Sequence, residues 1–309
     1  MEALAMSIDE LLRMFLAAHA AANHSPRTIE WYRAEVMRFF AWLRANNLHN
    51  GNWLRPQVIE LYLASDRADE AAGRKGNSPF TIAGHWRALK GFFGWLVERE
   101  YIDRSPIDKV PQPKTPDHEP RRVALEDYLL LLDSIPQGDW IDLRDRLIVT
   151  TFFLCGLRRE ECAGLEAKHY RTGEHLLRVR GKGDKDRLVP LLPAVERAFV
   201  VYLFARPAWP DARLLLAANG AGKPNGVISG GGIYQMLRRR SQAAGLATLN
   251  PHAFRHGLAM YLLNEGGDMS LVQKVLGHSQ IATTAKHYAQ WLTQGMMREF
   301  AEKMKGLGQ

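Results

Sequence analysis

The chain has 309 residues, 46% hydrophobic and 24% charged, which suits a globular protein of two compact domains. No apolar run approaches the ~18–20 residues of a membrane span, and the first residues lack the basic-then-apolar order of a signal peptide. The formal charge of +8 suits a polyanionic partner, a statement about association and not about fold.

Most of that charge lies late in the chain: residues 1–110 hold 14 Lys+Arg against 13 Asp+Glu, and the remainder holds 27 against 20. Cys155 and Cys162 are the only cysteines and fall in an apolar stretch. They read as small buried residues of a reducing compartment rather than a disulfide or metal site. A cytoplasmic protein with no membrane segment is expected.

In chain order, residues 8–21 give the first helical pattern. Ser25-Pro26-Arg27-Thr28 opens a second helix, because serine caps it and proline in the first turn loses no hydrogen bond. Ile29, Tyr32, Val36, Phe39, Phe40 and Leu43 then recur on one face. Residues 57–64 supply a third pattern. Ser78-Pro79-Phe80-Thr81-Ile82 reuses the opening device before Trp86, Leu89, Phe93 and Leu96. Residues 1–110 thus predict a small all-helical domain.

Residues 111–120 contain four prolines and no apolar periodicity, the mark of an extended linker. About ten residues span at most ~35 Å, enough for two domains to sit on opposite sides of a double helix. Residues 121–309 form the second domain. Helices are predicted over 125–134 and 143–154. Alternation over 176–180 and 187–191, around the turn Gly181-Lys182-Gly183-Asp184-Lys185-Asp186, predicts a β-hairpin. Apart from the glycine-rich stretch 220–232, the rest reads as mostly helical, ending in an amphipathic tail over 291–308. The fold class is mainly α with a small β-hairpin.

A helix over 252–262 begins after Asn250-Pro251. At 100° per residue, His252, Arg255, His256 and Ala259 share one face, and Phe254, Leu258, Tyr261 and Leu262 the other. The apolar face is expected to pack inward while His252 and Arg255 project from the first turn. Amides and the helix dipole there favour an anion, and Arg255 offers two parallel bonds to phosphate oxygens. Standing alone, the same arginine reads equally as a surface partner of a carboxylate. The two histidines have the spacing of a helical zinc site, but Ala253 stands where the zinc-protease motif has its glutamate.

Arg158 and Glu161 lie three apart at a helix start, so the carboxylate orients the guanidinium or the two form a solvent-side ion pair worth a few tenths of a kcal/mol. Lys182 sits in the glycine-flanked turn, as a solvated lysine or as an ammonium brought to the edge of a nucleic acid. Gly222-Lys223 is not a phosphate loop, because no glycine precedes it by five residues and Pro224 replaces the required Ser or Thr. Gly277-His278-Ser279 and His287-Tyr288 add a histidine and a phenol among cationic groups, a combination suited to attack on a phosphodiester.

Taken in order, these clusters resemble the tyrosine recombinases, the phage integrase family, and most of all its Xer-like members. Gly156-Leu157-Arg158-Arg159-Glu160-Glu161 resembles the first arginine box, which implies Arg158 as a catalytic arginine with Glu161 supporting it. Gly181-Lys182-Gly183 through Leu191 resembles the hairpin of the catalytic lysine, Lys182. His252-Ala253-Phe254-Arg255-His256 resembles the second box, implying His252 and Arg255; Leu276-Gly277-His278 supplies the next histidine and Tyr288 the nucleophile. In many members the tyrosine stands three residues after the second threonine of a Thr-Thr pair. Here that place holds His287, and Tyr288 is the only tyrosine after His278. Cys155 replaces a usual threonine, and Ser105-Pro106 a usual Asn-Pro.

The resemblance implies a helical, SAM-like core-binding domain (1–110), a linker (111–120) and an α+β catalytic domain (121–309). It implies a 3′-phosphotyrosine intermediate, strand exchange through a Holliday junction, and four protomers, alike or with a related recombinase, on double-stranded DNA with paired sites. The bond energy stays in the phosphotyrosine link, so no cofactor, neither ATP nor metal, is implied. A type IB topoisomerase-like enzyme, a silent DNA-binding regulator and a zinc hydrolase are the competing readings.

Overall fold

The computed structural model describes residues 6–48, 52–66, 76–116, 121–171, 173–181, 186–266 and 268–277. Contacts divide the chain into two compact units, Met1–His118 and Glu119–Gln309.

The first unit holds helices α1 (Ile8–Ala21), α2 (Pro26–Ala45), α3 (Pro56–Ser65) and α4 (Pro79–Glu98). Both Ser-Pro openings work as caps: the Thr28 N–H donates to Ser25 Oγ and the Thr81 N–H to Ser78 Oγ, each at 3.2 Å. The inward faces meet in a core of rings. Phe15, Phe39, Phe40, Tyr62, Phe92 and Phe93 are each at most 1% exposed. Phe92 meets Phe15 and Phe40 edge-on at 5.3 and 5.5 Å between centroids. Such pairs add about 0.5–1.5 kcal/mol each beyond their buried area. Trp86 Nε1–H donates to the Val110 carbonyl at 3.0 Å and ties the outgoing chain to α4. Residues 111–116 then have no regular structure.

The second unit holds α5 (Leu125–Ser134), α6 (Trp140–Cys155), α7 (Arg159–Ala163), β1 (Tyr170–Arg171), β2 (Leu176–Arg180), β3 (Asp186–Pro190) and α8 (Pro193–Ala205). Then come β4 (Leu216–Ala218), β5 (Pro224–Val227), α9 (Gly230–Ala243), α10 (Pro251–Asn264) and α11 (Met269–Leu276). Strands β1, β2 and β3 form an antiparallel sheet in that order, with Leu177 opposite Val189 and Val179 opposite Arg187. Helix α6 runs through the middle: every residue from Leu147 to Phe153 is buried, as in a helix enclosed on all sides.

The stretch beyond α8 differs from the helical expectation. It carries a second hairpin, β4–β5, too short for alternation to show in the sequence. Helix α9 starts inside the glycine run, where the Gly232 N–H donates to Ser229 Oγ at 3.1 Å. The cap offsets the weak helix propensity of glycine there. Among the described residues no helix is long and apolar enough to cross a membrane.

Candidate active site

Three segments of the second unit converge: the turn between α6 and α7, the first turns of α10, and the end of α11. Gly156 closes α6 in the left-handed region at φ +58°. The left-handed backbone favours glycine, and a Cβ there would press on Leu276 Cδ2 at 2.7 Å and Leu258 Cδ2 at 3.0 Å, the side chains that α11 and α10 bring to this turn. Asn250 caps α10, its Oδ1 accepting from the Ala253 N–H at 3.0 Å, with Pro251 in the first turn. Gly257 lets the backbone at Val123 lie directly on α10, and the Val123 N–H donates to the Ala253 carbonyl at 2.9 Å.

Arg255 sits on that helix and is only 5% exposed. Its Nη1 donates to the Gly156 carbonyl at 2.5 Å and its Nη2 to the Leu276 carbonyl. This corrects the expectation of a side chain projecting outward from an amphipathic helix. Ala253, Phe254, Gly257, Leu258, Ala259 and Met260 are also buried, whereas Tyr261, expected inward, is exposed. The guanidinium is buried because two carbonyls, one at the C-terminal end of α11, satisfy it.

Arg158 is the N-cap residue of α7. Its Nη1 donates to Glu161 Oε1 at 2.7 Å and its backbone N–H to Glu161 Oε2 at 2.8 Å. The Arg158 side chain stays 36% exposed, while that of Glu161 is 5% exposed. The solvent-side ion pair is therefore excluded for this couple. Glu161 also receives Arg187, with Nη1 donating to Oε1 at 2.7 Å and Nη2 to Oε2 at 2.8 Å. Burial pushes the Glu161 carboxyl up, but the hydrogen bonds and charge of Arg187, then the donors of Arg158, outweigh it and bring it down to about 2.

His252 faces solvent on the first turn of α10. Partial desolvation first, then the charges of Arg255, Arg158 and Arg159, hold its imidazole below the ordinary histidine value. His252 and the two candidate arginines therefore share one electrostatic neighbourhood. Of the other expected site residues, Lys182, His278 and Tyr288 lie outside the described residues, as does the tail 291–308. Among the described residues no group of three or more His, Cys, Asp or Glu side chains is placed to hold a metal. Cys155 and Cys162 are free and fully buried, each thiol pushed up to about 12 by burial.

Arg187 received no role from the sequence. Its signal was there: it alternates with Val189 and faces Val179, so it occupies a core-facing position of a strand where an arginine is out of place.

Residues 121–294 match the model of the phage integrase family. The chain belongs to the phage integrase family. Tyrosine recombinase XerC of Rhodospirillum centenum is 33% identical over 272 residues, covering 85% of this chain and 77% of the relative. Tyrosine recombinase XerD of Corynebacterium glutamicum is 30% identical over 269 residues, covering 84% and 86%. Among solved structures, the Tn1549 transposon integrase in complex with transposon right end DNA superposes with a TM-score of 0.72 at 21% identity, covering 96% of this chain and all of that one. The XerH recombinase in its post-cleavage complex on a palindromic difH substrate gives 0.68 at 20% identity, covering 96% and 85%. The fold is mainly α with small sheets, as expected, and is that of the tyrosine recombinases. The chain is a Xer-like tyrosine recombinase, an enzyme of site-specific DNA breakage and rejoining.

Proposed function

We propose that the chain binds double-stranded DNA carrying paired recombination sites and that Arg158 and Arg255 clamp the non-bridging oxygens of the scissile phosphate. The observation that carries this reading is the shared electrostatic neighbourhood of Arg158, Arg255 and His252, with Arg158 held by the buried carboxylate of Glu161. Donors fixed in advance at the place where charge develops usually supply the largest catalytic contribution. Glu161 and the Gly156 and Leu276 carbonyls fix them here.

Tyr288 is the nucleophile. Its phenolic oxygen attacks phosphorus, the bond from phosphorus to the 5′ oxygen breaks, and Lys182 gives that oxygen its proton. The products are a 3′-phosphotyrosine and a free 5′-hydroxyl. His252 accepts the phenolic proton, which its lowered basicity in the free protein permits, and His278 donates to a phosphoryl oxygen. Attack by the 5′-hydroxyl of a partner strand reverses the step, so neither ATP nor a metal enters. Two rounds on four protomers, alike or paired with a related recombinase, exchange both strands through a Holliday junction.

Residues 1–110 form the core-binding DNA domain in this reading, 111–120 the linker and 121–309 the catalytic domain, and the enzyme works in the cytoplasm. The relatives and solved structures named above, recombinases captured on DNA among them, support it. The test uses a duplex recovered by this protein from a random-sequence pool, nicked so that cleavage traps the covalent adduct. An adduct mapped to Tyr288 and lost in Tyr288→Phe is the expected result. An adduct on any other residue overturns the assignment of the nucleophile, and no adduct at all overturns the mechanism.

A further inference from the structure

Arg187 is the second residue of strand β3 and stands five residues after Lys182 in the sequence. Its side chain is 14% exposed, too enclosed for a DNA contact. The two bonds to Glu161 are parallel and nearly equal, the fork geometry that sets the plane of a carboxylate. Glu161 Oε1 is shared with Arg158 Nη1, so the orientation of that plane decides where the Arg158 guanidinium points.

The stem of Arg187 makes a second contact. A Cβ on Gly277 would lie 2.5 Å from Arg187 Cδ and 3.1 Å from its Nε. Gly277 caps α11 at φ +63°, and the carbonyl just before it receives Arg255. One side chain thus touches the box of Arg158 and the residue from which the chain enters His278. Arg187 Nε is buried and, among the described residues, has no hydrogen-bond partner. An apolar side chain of similar volume holds packed segments at least as well as a buried ion pair, without the orphaned donor. What only the arginine supplies is the fork.

We propose that Arg187 is a positioning residue for strand cleavage: by clamping Glu161 it sets the orientation in which Arg158 meets the scissile phosphate. The proposal rests on the reading of Arg158 as a phosphate ligand. A phosphate misplaced by about 1 Å costs about 10²-fold in rate. Arg187→Met is therefore expected to slow single-turnover cleavage of the nicked duplex by about that factor, with affinity for the uncleaved duplex within about twofold.

The decisive readout is coupling. In the Arg158→Ala background, Arg187→Met should add less than about twofold, because it acts through a side chain that is gone. Arg187→Lys keeps the charge and loses the fork, so it should resemble Arg187→Met; if Arg187→Met fails to fold, Arg187→Lys carries the same comparison. Losses that multiply in the double variant, or a wild-type rate in Arg187→Lys, overturn the proposal. Wild-type cleavage by Arg158→Ala overturns the underlying reading of the site as well. An inactive Arg158→Ala beside a fully active Arg187→Met overturns the positioning role alone.

Discussion

Two clusters of buried charge in the second unit differ in one respect, their balance. Around α6, Arg144 donates from Nε and Nη2 to Asp145 Oδ1 at 2.9 and 2.6 Å, and from Nη1 to the Leu216 carbonyl at 2.6 Å. Arg240 on α9 completes it, donating to Asp145 Oδ2 at 2.9 Å and Asp142 Oδ1 at 2.5 Å. Two arginines meet two aspartates, and the cluster is a neutral strut between α6, β4 and α9. At the candidate site Arg158 and Arg187 share one carboxylate, Glu161, and Arg255 nearby donates to the Gly156 and Leu276 carbonyls. Two guanidinium groups thus meet the single carboxylate of Glu161, an excess of positive charge. A balanced network holds a fold together, and an unbalanced one is a place for an anion.

The largest effects should separate the two. Arg158→Ala is expected to slow strand cleavage by about 10²–10³-fold, the usual loss on removing one preorganised donor. Its melting temperature should barely move, because a partly exposed cation leaves a cluster already too positive. Asp145→Ala should do the reverse. It strips buried Arg144 and half-buried Arg240 of a partner and is expected to cost about 3–5 kcal/mol in urea unfolding, while the protein that remains folded cleaves normally. An Arg158→Ala variant that unfolds, or an Asp145→Ala variant that is stable and inactive, would erase the distinction.

That contrast also explains what the sequence could disclose. The helices of the first unit were legible because Ser25-Pro26 and Ser78-Pro79 are local cap signals and rings such as Phe39 and Phe93 recur with the helical period. The hairpin around Lys182 was legible from alternation, with β3 displaced by one residue from its expected start. The inward turn of Arg255 was not legible. The carbonyls that permit it belong to Gly156 and Leu276, remote in the chain, and no periodicity within α10 encodes them. The same holds for Arg187, whose partner Glu161 lies on α7, and for β4–β5, whose strands are shorter than any period test. Local chemistry was readable, and tertiary satisfaction of charge was not.

A smaller effect follows from Glu161. Its folded-state carboxyl lies at about 2, below the ~4.3 of a free glutamate, so it contributes stability in full above about pH 4.3 and loses it as pH falls towards 2. Stability measured between pH 5 and 2 should therefore fall more steeply in the parent protein than in Glu161→Gln, which has no such proton to bind. Identical slopes would mean that the two arginines do not hold this carboxylate.

The smallest expected change is at His252, where it tests whether the excess charge is felt beyond the arginines themselves. Desolvation and then the charges of Arg255, Arg158 and Arg159 lower its pKa, so the free protein holds a neutral imidazole at pH 7. Since the unfolded chain binds that proton first, stability from this group is present above ~6.5 and is lost as pH falls through the folded value. Followed by NMR, the imidazole should titrate below 6.5, and Arg158→Ala should move it up, because one of the charges that lower it is gone. Added inorganic phosphate should move it the same way in the parent protein and less in Arg158→Ala, because the anion needs the arginine to stay near the ring. A midpoint indifferent to both changes would place His252 outside the cationic cluster and leave the phenolic proton without its acceptor.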